Sequence, residues 1–256
     1  MKKTVLLFFG LLFLTSIYSQ KKIQTFKDGE ELRYKMSYSG FLRAGTAVLK
    51  VEETVLNGKN VFHSKGLGWT TGMIKWFFKV EDNYQSYFDK TMVKPYLFKR
   101  KIDEGGYKKH VNTTFNYDNN TAYVQDFLKQ KDTTLPVLNV QDMLSAFYYL
   151  RNQEVKFMKK GESIAIDIFL DAQTYPFKLR FLGKEVLKTK FGNINTLIFR
   201  PLVQSGRVFK AQESVTLWIT DDANKIPIKM EASLAVGSLR AELEAYKGLA
   251  NEFITK

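Results

Sequence analysis

Cysteine, histidine and paired carboxylates are where catalysis or metal chemistry would be sought first, and this chain has little of them. It contains no cysteine and two histidines, His63 and His110. Thiol nucleophiles and thiolate metal sites are therefore excluded. Neither histidine has an Asp, His or Cys neighbour at ligand spacing, so both read as ordinary strand residues and no metal site is expected. There is no Gly-x-Ser-x-Gly nucleophile elbow. Gly66, Gly68 and Gly72 lie among aromatics and are not followed by Lys-Ser or Lys-Thr, so they make no phosphate loop. The adjacent acids Asp221-Asp222, with Glu81-Asp82 or Glu30-Glu31 as a second half, have the residue types for glycoside hydrolysis. That reaction requires two carboxylates converging in one cleft about 5–10 Å apart. Adjacent acids at strand ends are commonly turn and surface residues. No catalytic residue and no cofactor is assigned.

Aromatic content is more informative: 21 Phe, 13 Tyr and 3 Trp. The densest cluster runs from Trp69 to Phe78 and is flanked by Lys75 and Lys79. One reading makes it an irregular flap packed over one mouth of a sheet. The other makes it a lipid-facing or ligand-gating loop, since Trp and Lys suit a membrane interface. Gly66, Gly68 and Gly72 let the backbone bend around it. The ligand-binding candidates are Trp69, Met73, Ile74, Trp76 and Phe77. A gate would leave these side chains partly exposed near a mouth, whereas ordinary core would bury them.

The elements that must position such a segment are mostly strands. Glu30–Tyr38 alternates, with Leu32, Tyr34, Met36 and Tyr38 on one face. Gly45, Ala47, Leu49 and Val51 continue the pattern, and Asn57-Gly58 is a hairpin signal. Further strands are expected on either side of Glu104-Gly105-Gly106, after Asp118-Asn119-Asn120, and over Ile164–Leu170. A turn is expected at Tyr175-Pro176. A hairpin around Gly192-Asn193 and pairs through Val215–Ile219, Ile226–Leu234 and Leu239–Tyr246 complete roughly a dozen strands in meander order. Asp89 to Pro95 and Asp221 to Pro227 repeat one pattern, which reads as reused turn chemistry.

One long helix interrupts the strands, over Asn139–Asn152. Asn139 and Asp142 form the capping signal, Pro136 sits upstream, and Met143, Ala146, Phe147 and Leu150 fall at helical spacing. Leu144, Tyr148 and Tyr149 form a second apolar line. Burying Met143, Phe147 and Leu150 contributes roughly 1.5–3 kcal/mol each. Ordering the backbone costs about 1–2 kcal/mol per residue. Such a helix is not stable alone and is expected to lie against, or partly inside, a curved sheet. The fold class is therefore mainly β: a strongly curved antiparallel sheet, or half-open β-barrel, with one central helix.

Residues 1–19 read as a secretory signal, with Lys2 and Lys3 ahead of an apolar run over Val5–Leu14. Residues 20–256 then form a single β-rich domain, with no transmembrane span in the mature chain. A chain without cysteine has no lipidation site at the cleavage point. Removal of Lys2 and Lys3 leaves 37 basic residues against 26 acidic ones, a net charge of +11. That balance favours anionic surfaces such as lipid head groups. Nucleic acid is not expected as a partner of an exported protein. Lipid or an envelope protein is.

Several landmarks together resemble an exported bacterial family, domain of unknown function 3108. They are Gly29-Glu30 with Tyr34 and Ala44-Gly45; Phe78 to Tyr84; Pro95 with Phe98 and Glu104-Gly105; Asp142 to Ala146 through Leu150-Arg151; Trp218 through Asp221 to Pro227; and Val236-Gly237-Ser238. The resemblance implies an envelope location (periplasm or cell envelope of a bacterium) and a β-rich fold, and it carries no catalytic residue. The expectation that follows is a non-enzymatic envelope protein binding a lipid or amphipathic ligand in the sheet's concavity. An interaction subunit without a small ligand is the alternative, and a glycan hydrolase a third class.

Overall fold

Strands with one apolar face need neighbours along their edges, and among the described residues fifteen strands join in one sheet. The computed structural model describes residues 24–202, 215–234 and 237–255; the predicted signal segment, 1–19, lies outside these described residues. The first arm comprises β1 (Glu30–Tyr38), β2 (Leu42–Leu56), β3 (Lys59–Thr70), the one-turn helix α1 (Ile74–Phe77), β4 (Val80–Asp89), β5 (Pro95–Glu104), β6 (Tyr107–Asn116), β7 (Thr121–Asp126) and β8 (Lys131–Pro136). Then come β9 (Val140–Gln141) and α2 (Met143–Arg151). The second arm is β10 (Ser163–Leu170), β11 (Gln173–Thr189), β12 (Gly192–Leu202), β13 (Val215–Thr220), β14 (Pro227–Ser233) and β15 (Ser238–Lys247).

The spatial order descends from β8 to β1 and then from β15 to β9. Two meanders are thus welded by the pairing of the first and last strands, with Leu32 opposite Tyr246 and Tyr38 opposite Leu239. All described pairings are antiparallel except β9 with β10. The sheet does not close into a barrel, and β8 and β9 are its two ends. It curls strongly, however. Arg100 on β5 and Lys109 on β6 both hold Asp171, in the β10–β11 turn. Phe115 on β6 meets Phe169 on β10 edge-on, with ring centroids 5.9 Å apart. The concave face so formed encloses α2.

Three local expectations need correction. The stretch before the helix holds two strands, β8 and β9, where a polar connection was expected; β8 alternates in burial at Thr133 and Leu135, but its sequence, Lys131-Asp132-Thr133-Thr134-Leu135-Pro136, has too few apolar residues to show it. Tyr175-Pro176 is not a turn. The chain reverses at Asp171-Ala172, both at positive φ, and Pro176 sits in β11 opposite Asp167. The pairing of β11 with β12 begins only at Lys178, so Pro176 lies on a stretch with one described neighbour, where a missing N–H is tolerated. The Asp89 and Asp221 segments are indeed hairpin turns. Asp89 accepts from the N–H groups of Thr91 and Met92, and Asp222 from those of Asn224 and Lys225.

The helix is shorter than its sequence signal and turned differently. Its N-cap is Asp142, whose Oδ1 accepts from Leu144 N and Ser145 N, while Ser145 Oγ accepts from Asp142 N. Asn139 lies outside, at positive φ. The face packed into the sheet is Leu144, Ser145, Ala146, Tyr148 and Arg151. Tyr148 is buried against Phe26, Phe62 and Phe88. Of the expected line of Met143, Ala146, Phe147 and Leu150, only Ala146 is buried; Phe147 and Leu150 are half-buried and Met143 is exposed. Met143, Phe147 and Leu150 border cavities, Phe147 and Leu150 also packing on the edge of the core clusters.

Both ends of α2 are strapped to the sheet. At the start, Ser86 Oγ on β4 donates to Asp142 Oδ2 over 2.6 Å. At the finish, Arg151 pairs with Glu30 on β1. Burial pushes the Asp142 carboxyl up to about 6, although the Ser86, Ser145 and Leu144 hydrogen bonds pull it down. An acid with a raised folded-state pKa binds its proton more tightly when folded. The native state then loses stability as pH rises from about 4 to about 6, by up to about 3 kcal/mol for a shift of this size. We expect Asp142→Asn to keep the cap, because its amide oxygen still accepts from Leu144 and Ser145, and to flatten that part of the pH–stability curve. Urea melts of both proteins at pH 4.5 and pH 7 check this; parallel curves would show that Asp142 is not the group responsible.

Candidate functional site

Side chains alternate across a strand, so the register decides which residues face the concavity. On β2 and β3 the inward row pairs Gly45 with Thr70, Ala47 with Gly68, and Leu49 with Gly66. Four of these six positions carry a side chain no larger than methyl. The next rows inward are Val80, Asp82 and Tyr84 on β4 and Met36 on β1. A floor so bare leaves an unfilled space beneath α2, of about 680 Å³. Its roof is Met143, Leu144 and Phe147, and Leu234 and Leu239 close the side toward the second arm. The lining is apolar almost throughout. Gly66 lets the helix approach: a Cβ there would lie 3.0 Å from the Leu144 Cδ2. Gly68 is different, since a Cβ would meet nothing nearer than Asp82 Cβ at 3.8 Å.

The segment between β3 and β4 lies at one end of this space. Ile74 and Phe78, one helical turn apart, border the cavity. Met73, Trp76 and Phe77 point away and are 64%, 85% and 84% exposed. The segment is anchored at its base. Thr70 Oγ1 accepts from Val80 N, Lys79 O accepts from Gly105 N, and Thr71 N donates to Ala44 O.

One polar group breaks the apolar lining. Asp82 borders the cavity, and its Oδ1 is enclosed without a hydrogen-bond partner. Burial, and after it the neighbouring Glu104, pushes the Asp82 carboxyl up to about 6. Asp82 and Glu104 thus place two neighbouring acids at the cavity wall.

A family model described as Protein of unknown function (DUF3108) matches residues 33–244. The chain belongs to the DUF3108 family. A comparison of this DUF3108 chain with curated proteins returns no match. Among solved structures it is similar to a beta-barrel-like protein of domain of unknown function DUF1849 from Brucella abortus. The two share 9% identity over 87% of this chain and 98% of that one, with a TM-score of 0.54. A second similar structure is an exported-protein candidate with a YmcC-like fold from Bacteroides fragilis, at 7% identity over 86% of this chain and 96% of that one, with a TM-score of 0.31. The first likeness supports the β-barrel-like fold and nothing about chemistry.

The sequence candidates are distributed as follows in the DUF3108 fold. Ile74 borders the cavity, whereas Trp69 lies between Gly68 and Thr70 and turns its side chain to the other face of β3. The Trp69 ring is approached by the Arg33 guanidinium, 5.8 Å from its centroid. Met73, Trp76 and Phe77 are brought together on the solvent side of α1. The acid pairs considered for hydrolysis find separate partners: Glu81 pairs with Lys79, Glu31 with Lys50 and Lys247, and Asp82 stands at the cavity wall beside Glu104. Asp221 pairs with Lys184, Asp222 caps its own turn, and Glu30 is buried in its pair with Arg151. His63 stacks on Tyr87 at 4.0 Å and His110 lies against Phe127. Among the described residues no group of three or more His, Asp or Glu is placed to hold a metal ion. The cavity floor and the Asp82–Glu104 pair escaped the sequence reading. The floor had a signal, small residues at every second position in two successive strands. The acid pair had none, because its members are 22 residues apart and meet only through the β4–β5 register.

Proposed function

We propose that this protein is a non-enzymatic component of the bacterial cell envelope, exported by its first 19 residues, that holds a lipid or other amphipathic ligand in the concavity of its sheet. The observation that carries this reading is the bare floor of Gly45, Ala47, Gly66 and Gly68 under an apolar helix face. Protein interiors are otherwise filled to crystal-like density, and apolar voids cost stability. A space of about 680 Å³ falls within the range of small-molecule sites, about 300–1,000 Å³. Ile74 and Phe78 stand where a gate would stand. The apolar lining suits an acyl chain or similar hydrocarbon body, and Asp82 with Glu104 suits a polar head that donates hydrogen bonds.

The test is lipid extraction from the purified protein followed by mass spectrometry, on the native chain and on Gly68→Leu. Gly68 has ordinary strand geometry and open space in front of it, so the leucine side chain enters the cavity without displacing the backbone. The expected result is bound lipid in the native protein and loss of at least about tenfold in the variant, with an undiminished melting temperature as the void fills. Absence of any exchangeable lipid from the folded native protein overturns the reading.

An interaction subunit that pairs through a sheet edge has less support. The β8 end carries Lys131, Asp132 and Pro136, which are residues that block strand addition.

A further inference from the structure

We infer that the rim of the sheet carrying α1 is a docking surface for an anionic lipid bilayer. In the first arm, alternate hairpins turn at alternate rims. The β1–β2, β3–β4, β5–β6 and β7–β8 connections all lie at the end where the cavity has its flap. Hairpin tips ordinarily carry Gly, Asn, Asp and Ser. The β5–β6 tip is Gly105-Gly106, but the other three carry Phe41, Trp76 with Phe77, and Phe127 with Leu128, of which Phe41, Trp76 and Phe77 are 84% exposed or more. The opposite rim of the same arm turns on Asn57-Gly58 and Asp118-Asn119-Asn120. That rim exposes Met92, and Val55 just before its Asn57-Gly58 turn, but no Trp or Phe stands on its hairpin tips; Phe157, between α2 and β10, is exposed beyond the arm on the same side.

Lysines surround the apolar tips. Lys79, Lys108 and Lys129 pair with Glu81, Asp103 and Asp126, and Lys75 and Lys131 stand beside them without an ion pair among the described residues. Aromatic tips inserted to head-group depth, with lysine ends reaching anionic lipid, are the pattern of an interfacial anchor. The one-turn helix links this surface to the cavity. Its Ile74, and Phe78 just after it, border the cavity while Trp76 and Phe77 face outward, so docking sets the mouth against the bilayer. The inference extends the ligand-cavity reading but does not require an occupied cavity.

The experiment is co-sedimentation of the purified full-length mature protein with phosphatidylglycerol-containing vesicles and with pure phosphatidylcholine vesicles. The native protein is expected to bind the anionic vesicles. Phe41→Ser with Trp76→Ser and Phe77→Ser should weaken that partition at least about tenfold, since the apolar anchor is removed. Lys75→Gln and Lys131→Gln should each weaken it about fivefold. Met92→Ser and Phe157→Ser, on the opposite rim, should bind as the native protein does. All of these side chains are exposed, so melting curves should not change. Gly68→Leu should bind vesicles normally even though it excludes cavity ligand, which separates the two readings. Equal sedimentation of the native and triple-serine proteins overturns the docking surface. So does a stable dimer in sedimentation velocity that the triple-serine variant abolishes, which would assign the rim to a second copy of this chain.

Discussion

Arg151→Met is expected to destabilise the protein by about 3–5 kcal/mol, the cost of stranding a buried charge. Arg151 closes α2, and its side chain is almost wholly enclosed, as is that of Glu30. Nη1 and Nη2 reach the two Glu30 carboxylate oxygens at 2.5 and 2.9 Å. Nη2 also donates to Thr25 O and Nε to Asn224 O, at 2.7 and 3.1 Å. Burial alone would push this guanidinium's pKa down; the bidentate Glu30 pair overrides that and holds it up. One side chain thus ties the helix to β1, to the segment before it and to the β13–β14 turn. Removal of the arginine leaves the Glu30 carboxylate in an apolar setting between the arms. A double variant, Arg151→Met with Glu30→Leu, removes both charges and should recover much of the loss, because well-packed apolar pairs replace buried ion pairs at little cost. Urea denaturation of the three proteins measures this. A single variant within about 1 kcal/mol of the native protein would show that the pair is peripheral to stability.

Tyr148→Asp is expected to abolish folding at room temperature, whereas Phe147→Asp is not. Tyr148 is fully buried in a cluster with Phe26, Phe62 and Phe88, and the Phe26 and Phe88 rings lie 4.6 and 5.4 Å from its own. A carboxylate placed there is unpaired and unsolvated, and losses above about 4–5 kcal/mol come from such burial. Phe147 is next along the chain but faces the cavities on either side of α2. Its replacement by Asp puts the charge at a void that water can enter, at a cost of about 1–3 kcal/mol. Soluble yield and thermal melts of the two variants decide between the faces. A cooperative, native-like melt from Tyr148→Asp would place the core on the other side of the helix.

These two variants also mark where sequence reasoning stops. The periodicity of Asn139–Asn152 is enough to place a helix, and its two apolar lines are visible in the sequence. Periodicity ranks lines by apolar content, however, and so it favoured Met143, Phe147 and Leu150. The tertiary structure turns the second line inward, because polar groups on that side find partners there: Ser86 for Asp142, Glu30 for Arg151. Arg151 reads as a solvated residue until its partner, 121 positions away, is known.

The sequence by itself determined the mainly β class, the meander order, the Asn57-Gly58 turn, the single long helix and the family. Each depends on spacing along the chain, which local sterics and amphipathicity decide over a few residues. It also marked Trp69–Phe78 as a departure from strand pattern. Only the tertiary structure decided that Gly45, Ala47, Gly66 and Gly68 form one floor, that Asp82 meets Glu104, and that the apolar hairpin tips share a rim. These facts depend on inter-strand register and on sheet curvature, which are set by the simultaneous pairing of all fifteen strands. A one-residue slip in that pairing would turn the same glycines outward and leave no cavity.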